Sequence, residues 1–503
     1  MIESRSTFVI GVLADLSGMP SAALPRLRQR RFVTVTRESF AQFLARKRPR
    51  LTPTVQCAEA NGGFRKLELS FANFEDFQSE GVARKLEELN TLDPCSAMEV
   101  SQIIVRMESF CMLQGAWAGL KFLVDSVAGN SNVKVRVLDV SQRELLRDIQ
   151  RAPEFDQSAL FRLVFSQEIG TFGGEAFGCI LGDYYLTPSA ECAELARDVS
   201  KVAAAAGAPF FCGIQSGLVY PFGWEPGALA PACPGEEPLP NPWWKRGEDC
   251  QQGWALFLLM PKVRQAPAAP LSSVRLGSVI PPGRLAESWF NPGYFVARTV
   301  ADAFSDASLP EIAEKLFPEW SKARDTPSAE PDGASCGRGT ELPLTSGVRL
   351  EALGAEFARD IPLEIRDRLS ESGLNVLSES TLKRRDFLRS LKPIAPFDPW
   401  FHQASLAQVL LGCTVMNRLR QYLRLKRRSG NAGELWRTAE PWLKALNVER
   451  LTGRRLLPLQ QISVTTDGCG LSVSMTFLSS VCPAGCPDHF TFRIHRRAYA
   501  LVT

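Results

Sequence analysis

The first ninety residues combine short apolar runs with turn residues, a pattern typical of a small α/β unit. An unbroken apolar run from Phe8 to Leu13 predicts a buried strand. Apolar residues at helical spacing predict helices over Ser39 to Arg48 and over Ser79 to Leu89, with Ser79 as the N-cap candidate of the second helix. The dipeptide Asn61-Gly62, between two apolar segments, predicts a tight hairpin. We place the end of this unit at Asp93, because the residue before a proline is driven out of helix.

From residue 94 onward, predicted strands alternate with predicted helices. Apolar residues from Val100 to Leu120 recur at helical spacing and predict one long helix. Alternating or continuous apolar runs predict strands over Val133 to Val140, Ala176 to Tyr184 and Pro209 to Ile214. A capping box, Ser141 to Glu144, marks a helix start between the first two strands. Such alternation is typical of a sheet with parallel strands, so the predicted fold class is α/β, in a mixed α+β arrangement.

The C-terminal third contains a second set of elements beyond a linker. Residues 321–346 are rich in Pro, Ser and Gly and predict a loop or linker. Helices are predicted from about Ser405 and from about Gly433, followed by two strands, Gln461 to Phe477 and Phe490 to Tyr499. The predicted organisation is a small N-terminal α/β domain at 1–93, a larger α/β domain at 94–320, the linker at 321–346 and a C-terminal domain at 347–503.

Composition narrows the class of protein. Hydrophobic residues make up 45% and charged residues 22% of the 503, which excludes a mainly disordered chain. A net charge of only +4 argues against a bulk nucleic-acid binder. No apolar run approaches the roughly 20 residues that span a bilayer, and no secretory signal is recognisable. Thirteen scattered cysteines indicate a reduced, cytoplasmic protein. The chain has only three histidines, the commonest acid/base residue at neutral pH, which makes an enzyme less expected.

Several motifs between residues 113 and 211 resemble the large subunit of the bacterial type VI secretion contractile sheath. They are Glu154 to Phe161, Glu168 to Glu175 and Leu181 to Tyr184, preceded by Leu113 to Leu120 and Val135 to Ser141. The N-terminal residues resemble the start of the small sheath subunit, through Val12 to Gly18, Arg31 to Val33, Phe40 to Leu51, Phe74 to Phe77 and Val82 to Arg84. By this resemblance the chain is a fusion of both sheath proteins.

The resemblance implies a structural, non-enzymatic protomer that polymerises around an inner tube and contracts. Its implied partners are further copies in a helical sheath and the inner tube protein, with a separate small subunit, baseplate proteins and an AAA+ recycling ATPase as additional partners. No cofactor, nucleic acid or membrane insertion is implied. The small subunit's second half and the large subunit's N-terminal extension are not recognisable, so we expect interlacing and recycling to differ from the family pattern. A non-polymerising adaptor at a baseplate or membrane anchor is the alternative, and an enzyme on a borrowed fold is a third reading.

Two sets of residues are candidates for assembly contacts. The C-terminal strands are the best candidates for strand exchange between subunits, through Val473, Phe477, Phe492 and Ile494. The predicted helix ending near Arg428 carries a basic cluster, and within the sheath reading Arg420, Arg424 and Arg427 would contact the tube. A solvated helix end, whose cations complement the helix dipole, and nucleic-acid binding are the alternatives for that cluster.

Catalytic and metal-binding readings of the remaining motifs are weaker. Gly170 to Glu175 lacks the Gly-Lys-Ser/Thr ending of a phosphate loop, so a tight turn is preferred. The carboxylates of Glu168, Glu175 and Asp183 have no partner base for acid/base work. The metal-ligand types in the C-terminal region are Cys469, Cys482, Cys486 and His489. They suit tetrahedral zinc, but the spacing of Cys482 and Cys486 is looser than usual and incidental cysteines are the preferred reading.

A last expectation concerns the two resembling segments. Because the N-terminal unit resembles a sheath subunit in its own right, it should dock in cis on the α/β body. We expect Phe71, Phe74 and Phe77 to be buried in that contact.

Overall fold

A computed structural model describes most of the two α/β segments and parts of the C-terminal region. The described residues are 7–56, 64–89, 94–171, 173–187, 189–215, 250–260, 262–265, 289–305, 308–318, 320, 348–350, 373–377, 387–394, 404–427, 432–447, 455–467, 470–478 and 489–495. The predicted linker at 321–346 and the turn at Asn61-Gly62 lie outside them.

The described strands form one large sheet and several small ones. In chain order they are β1 (Phe8–Ala14), β2 (Val33–Thr34), β3 (Arg50–Leu51), β4 (Thr54–Gln56), β5 (Phe64–Lys66), β6 (Leu69–Ser70), β7 (Val133–Asp139), β8 (Phe177–Leu186), β9 (Phe210–Ile214), β10 (Leu256–Met260), β11 (Val263–Gln265), β12 (Val348–Leu350), β13 (Leu374–Val376), β14 (Leu459–Asp467), β15 (Gly470–Phe477) and β16 (His489–His495). The pairing of β4 with β5 agrees with the predicted hairpin.

The described helices are more numerous than those that the sequence pattern predicts. In chain order they are α1 (Arg37–Lys47), α2 (Ser79–Glu88), α3 (Pro94–Ile104), α4 (Glu108–Ser126), α5 (Gln142–Arg151), α6 (Ala159–Phe161), α7 (Ala190–Ala206), α8 (Pro292–Ala303), α9 (Leu309–Leu316), α10 (Phe387–Ser390), α11 (Leu406–Arg427) and α12 (Ala432–Asn447). Together with the parallel sheet, they confirm the predicted α/β class.

The main sheet has seven strands in the order β13-β10-β9-β8-β1-β7-β2. All neighbouring strands run parallel except the edge strand β2, which is antiparallel to β7. Strand β1 is an interior strand between β8 and β7, and all seven of its residues are buried, as expected for a strand covered on both faces. The predicted N-terminal domain at 1–93 is therefore not a separate sheet. Its first strand, β1, pairs with β7 and β8 of the following segment and is part of the same sheet.

Helices cover both faces of this sheet. Consecutive residues of a strand point to opposite faces. Asp183 of β8 accepts a hydrogen bond from Tyr294 of α8, whereas Tyr184 lies beside Leu145 of α5 and Leu195 of α7. Helix α4 packs on α8, where Gly119 leaves room for the Tyr294 ring: a Cβ at this glycine would lie 2.3 Å from the ring. The core is thus a three-layer α/β sandwich with β1 in the interior of its sheet.

Two helix predictions were wrong in detail. The long helix predicted from Val100 to Leu120 is broken at Met107, whose backbone is extended (φ −65°, ψ 137°) and forms the N-cap of α4. Apolar spacing continues through the break because both helices bury residues in the same core, so periodicity alone does not reveal it. The N-cap of α2 is Gln78 rather than the predicted Ser79. The capping box of Ser141 and Glu144 is confirmed.

The C-terminal strands form a separate antiparallel sheet. The segment Gln461 to Phe477, predicted as one strand, is a pair of strands, β14 and β15, and β15 also pairs with β16. Leu471, Val473, Met475 and Phe477 alternate along β15 and are buried on one face. The intervening residues are half-buried Ser and Thr. One face of this sheet is therefore held against the body, as Phe477 is against Phe317, with ring centroids 6.3 Å apart.

Candidate functional site

The seam between the N-terminal segment and the body begins with the backbone of β1. Ile10 pairs with Val135 of β7 on one side and with Cys179 of β8 on the other. The ladder with β7 covers all seven residues of β1. Because backbone hydrogen bonds run on both sides, the N-terminal segment cannot leave without splitting the main sheet.

Aromatic side chains form the apolar part of this seam. Phe71 and Phe77 stack with ring centroids 4.4 Å apart, and Phe110 of α4 meets them edge-on at 5.8 and 6.1 Å. Phe71, Phe77 and Phe110 are almost fully buried, and Phe74 is partly buried against the same core. The expectation that these phenylalanines bury against the body is confirmed for Phe71 and Phe77, whereas Phe74 is only partly buried.

Trp117 of α4 anchors the seam from the other side. Its indole Nε1 donates to the carbonyl oxygen of Leu16, 3.1 Å away, directly after β1. The rings of Phe40 and Phe43 of α1 pack on it at 5.9 and 5.7 Å. Trp117 lies within the apolar run that predicts a helix from Val100 to Leu120, but nothing in the sequence signals its hydrogen bond, which ties α4 to the end of β1.

A polar network closes the seam at the carboxyl ends of β1 and β7. The buried Asp139 carboxylate accepts hydrogen bonds from the backbone N–H of Leu16 at 3.0 Å and from the Ser17 hydroxyl. It also forms an ion pair with Lys47 of α1, with 2.8 Å between Nζ and Oδ2. One carboxylate of the body thus binds three groups of the N-terminal segment. A buried charge with this many partners is satisfied, and removing one partner would be costly.

Arg30 makes the second polar link. Its guanidinium forms a bidentate pair with Glu144 at the start of α5 and donates to the carbonyl oxygen of Asp139 at 2.6 Å. Burial raises the pKa of Glu144, but Arg30 and the Ser141 N–H outweigh it and hold the pKa below its usual value. The sequence signals the capping role of Glu144, and nothing in it signals the partner more than a hundred residues away.

This network fills the place where open α/β sheets usually bind ligands. That place lies outside the carboxyl ends of the strands, at the point where the strand order reverses. In this sheet the order reverses beside β1. The side chains of Ser17, Lys47 and Asp139 occupy it and satisfy one another. The crevice therefore holds the two segments together.

The carboxylates considered for acid/base work are separated and engaged. Glu168 forms an ion pair with Arg136 at 2.8 Å and accepts from the backbone N–H of Glu175. Glu175 pairs with Lys134 at 2.5 Å. Asp183 accepts from the Tyr294 hydroxyl at 3.1 Å, and its burial raises its pKa to about 7. The contact between Glu168 and Glu175 closes the predicted glycine turn, within which Phe172 lies outside the described residues.

The basic helix end is only partly available to a partner. Arg420 is buried, with 4% of its surface exposed, and donates to the carbonyl oxygens of Ala205 and Ala206 at 2.9 and 3.0 Å. A cation there complements the dipole at the C-terminus of α7. Burial lowers its pKa to about 10. The predicted tube contact is therefore wrong for Arg420 and stays a prediction for the half-buried Arg424 and for Arg427, whose side chain lies outside the described residues.

The C-terminal strand candidates divide in the same way. Val473 pairs with Val464 on one side and with Phe492 on the other, so β15, which also carries Phe477, is the middle strand of its sheet. No neighbouring strand could add at Val473. Among the described strands, β16 is an edge, and Phe492 and Ile494 lie on it. The prediction of inter-subunit pairing therefore moves from β15 to β16.

The metal reading is not tested by the structure. Cys469, Cys482 and Cys486 lie outside the described residues, and His489 is the first residue of β16. Within the described ranges, no three Cys, His, Asp or Glu side chains are grouped as metal ligands would be.

None of the helices that the structure describes combines the length and the apolar character required to cross a bilayer.

Comparisons with known proteins match two consecutive parts of the chain. Residues 4–96 match the family model "Type VI secretion system, VipA", and residues 89–224 match the VipB model, described as an EvpB tail sheath N-terminal domain. The boundary between these matches lies where β1 and α1–α2 give way to α3, although the folded seam crosses it.

Two curated proteins of Pseudomonas aeruginosa match the same parts. Type VI secretion system sheath protein TssC1 is 34% identical over 125 residues, which cover 24% of this chain and 25% of the relative. Type VI secretion system sheath protein TssB1 is 33% identical over 85 residues, 17% of this chain and 49% of the relative. The chain thus spans a quarter to a half of the length of these relatives. The chain therefore carries a segment similar to the sheath small subunit followed by a segment similar to the sheath large subunit of type VI secretion systems.

Proposed function

We propose that the protein is a structural protomer of a type VI contractile sheath, which polymerises around an inner tube and contracts to drive it outward. The observation that carries this proposal is the position of β1. The segment that matches the small sheath subunit supplies an interior strand, between β8 and β7, of the sheet to which the large-subunit segment contributes. One chain thereby delivers both components of a sheath unit, already joined.

The energy for contraction, on this proposal, is stored in the contacts between protomers. A rigid body that keeps its own core can rotate between two packings, and the difference in interface free energy drives the change. The three-layer body meets this requirement because its seam is closed by backbone ladders, aromatic rings and ion pairs. No cofactor takes part in this mechanism.

Contacts between protomers would form at β16, the described edge of the C-terminal sheet. An extended segment that adds to an edge strand is held by backbone hydrogen bonds, which survive reorientation of the bodies better than side-chain packing does. The inner tube protein, baseplate proteins and an AAA+ ATPase remain proposed partners. A separate small subunit would be redundant at β1, since the slot between β7 and β8 is filled from within the chain.

Electron microscopy of the purified full-length chain, with and without the inner tube protein of the same system, tests the proposal. We expect long tubules, and we expect added small-subunit protein to leave them unchanged. Discrete small oligomers in every condition would contradict polymerisation. A failure to assemble until the small subunit is added would contradict the claim that the chain supplies both components.

One observation favours the second candidate, a non-polymerising adaptor at a baseplate or membrane anchor. The three C-terminal strands pair with one another within the chain, so a protomer satisfies its described strands without a neighbour. Discrete oligomers that bind baseplate protein but not the tube would support the adaptor. Stoichiometric zinc by elemental analysis would instead direct attention to the C-terminal cysteines.

A further inference from the structure

The loop before β2 and the first helix after β7 form a continuous surface rich in arginine. The loop contains the short helical turn Leu27–Gln29. Two residues separate the end of β7 from the start of α5. The arginines exposed on this surface are Arg26, Arg28, Arg31, Arg143, Arg147 and Arg151. Three belong to the small-subunit segment and three to the large-subunit segment, so the surface exists only when the two are docked.

Specific contacts place the two parts side by side. Arg30 pairs with Glu144 of α5, and the Arg28 guanidinium donates to the carbonyl oxygen of Gln157 at 3.1 Å, just beyond α5. Arg143 precedes Glu144 by one residue, which is roughly 100° around the helix. The arginines of α5, spaced four apart, therefore form a stripe next to the side that holds the loop.

These arginines carry charge that the fold itself does not use. Arg26, Arg31, Arg143, Arg147 and Arg151 make no hydrogen bond or ion pair with another described residue. The neighbouring residues Glu144 and Asp148 are engaged, the first by Arg30 and the second by the backbone N–H groups of residues 159 and 160. The surface thus presents six exposed arginines, five of which have no hydrogen-bond or ion-pair partner among the described residues.

We infer that this composite arginine surface binds an acidic face of a protein partner. A guanidinium binds a carboxylate through two parallel hydrogen bonds, which suits Arg to recognise acidic side chains. Exposed Glu154 and Asp156 lie at its border, where they would repel a continuous polyphosphate but fit a protein face of mixed charge. The nearby rings of Phe155, Phe161 and Phe165 pack on one another at 5.7 and 4.8 Å and offer no platform for bases to stack on. The inference does not depend on polymerisation.

The test is a binding titration with fluorescent poly-L-glutamate of 20 residues, using the full-length chain at low salt and at 0.15 M salt. The variant R26Q/R31Q/R147Q removes three charges from the surface. The matched control, R46Q/K66Q/R84Q, removes three exposed charges elsewhere. We expect the first to weaken binding by about tenfold or more and the control to change it little, with wild-type binding falling as salt is raised. Unchanged melting temperatures would show that all the variants fold.

Three further outcomes would overturn the inference. Equal losses in both triple variants would show that only net charge matters. Tighter binding of a 20-nucleotide oligothymidylate through the same arginines would make the surface a nucleic-acid site. Binding to phosphatidylserine vesicles but not to poly-L-glutamate would make it a membrane site. The composite character has its own test, because R26Q/R31Q and R143Q/R147Q should each weaken binding, and a loss confined to one pair would contradict it.

Discussion

The two larger sheets of this protein are built in opposite ways. In the seven-stranded sheet, β1 pairs with strands more than a hundred residues away, as Ile10 does with Val135 and Cys179. In the three-stranded sheet, each strand pairs with the next along the chain, from β14 to β15 to β16. Non-local pairing closes long loops and forms only when distant segments fold together, whereas a local meander forms within its own segment.

The two sheets therefore suit different roles. The seven-stranded sheet holds the protomer together, and on the proposed function the three-stranded sheet connects one protomer to the next. The backbone hydrogen bonds, aromatic rings and ion pairs around β1 join the two segments into one body. The C-terminal sheet buries one face against that body, and among the described strands it ends in the edge strand β16. On the proposed function, strands of neighbouring protomers would add at this edge. A contractile lattice needs both properties, a rigid unit and a connection that tolerates its rotation.

Matched proline substitutions in one interior strand of each sheet, β1 and β15, should have the largest and most different effects. Val12 pairs with Val137 and Leu181, and Val473 pairs with Val464 and Phe492; both valines are fully buried. Proline removes a ladder hydrogen bond and costs about 3 kcal/mol or more. We expect V12P to prevent folding of the whole body, and V473P to unfold only the C-terminal sheet. Hydrogen exchange of the amides of β7 and β14 distinguishes these outcomes, and protected β7 amides in V12P would contradict the account.

Removing a ring from the aromatic seam should have the next largest effect. Phe77 is 1% exposed and stacks on Phe71, whereas Phe64 on β5 is 76% exposed. Phe77→Ala should lower the free energy of unfolding by about 3–5 kcal/mol because it leaves a cavity between the two segments. Phe64→Ala should change it by less than about 0.5 kcal/mol. Urea denaturation measures both, and similar values for the two variants would show that the seam contributes little.

The pH dependence of stability offers a smaller and more specific test. Burial raises the pKa of Asp183 to about 7, above the value of about 3.9 for an unfolded chain. Between these values the native state holds a proton that the unfolded state releases, so the stability this group contributes is complete at low pH and lost as pH rises toward 7.

Asp183→Asn stays neutral and still accepts from Tyr294, so it should remove this fall, a slope of up to about 1.4 kcal/mol per pH unit. Urea denaturation between pH 4 and 8 measures the slope, with Asp156→Asn as the exposed control. An unchanged slope in D183N would contradict the assignment. Because β8 belongs to the main sheet, the C-terminal sheet should show no such change.

The sequence predicted those elements whose signals are local. The buried run of β1 and the capping box at Ser141 both follow from neighbouring residues. The break at Met107 was not predictable from periodicity, because both helices bury apolar faces in one core. The hairpin within Gln461 to Phe477 was missed because an alternating pattern continues through it.

The candidate site was predictable only in its apolar part. Phe71 and Phe77 were expected in the seam because they are large apolar residues next to a segment boundary. The ion pairs of Lys47 and Arg30 were not, since each reaches a carboxylate about a hundred residues away. Arg420 shows the converse error: a basic residue at a helix end was read as solvent-facing, but tertiary packing directs it to the carbonyl oxygens that end α7.

Cutting the chain between the small-subunit and large-subunit segments tests whether the first segment is an integral part of the sheet of the second. A specific protease site placed before Asp93-Pro94 in the full-length protein allows cleavage after folding. We expect the two fragments to co-elute in size-exclusion chromatography under native conditions and to separate only in denaturant. The reason is that β1 is hydrogen-bonded to β7 on one side and to β8 on the other. An N-terminal fragment that elutes alone under native conditions, leaving a folded body, would contradict it.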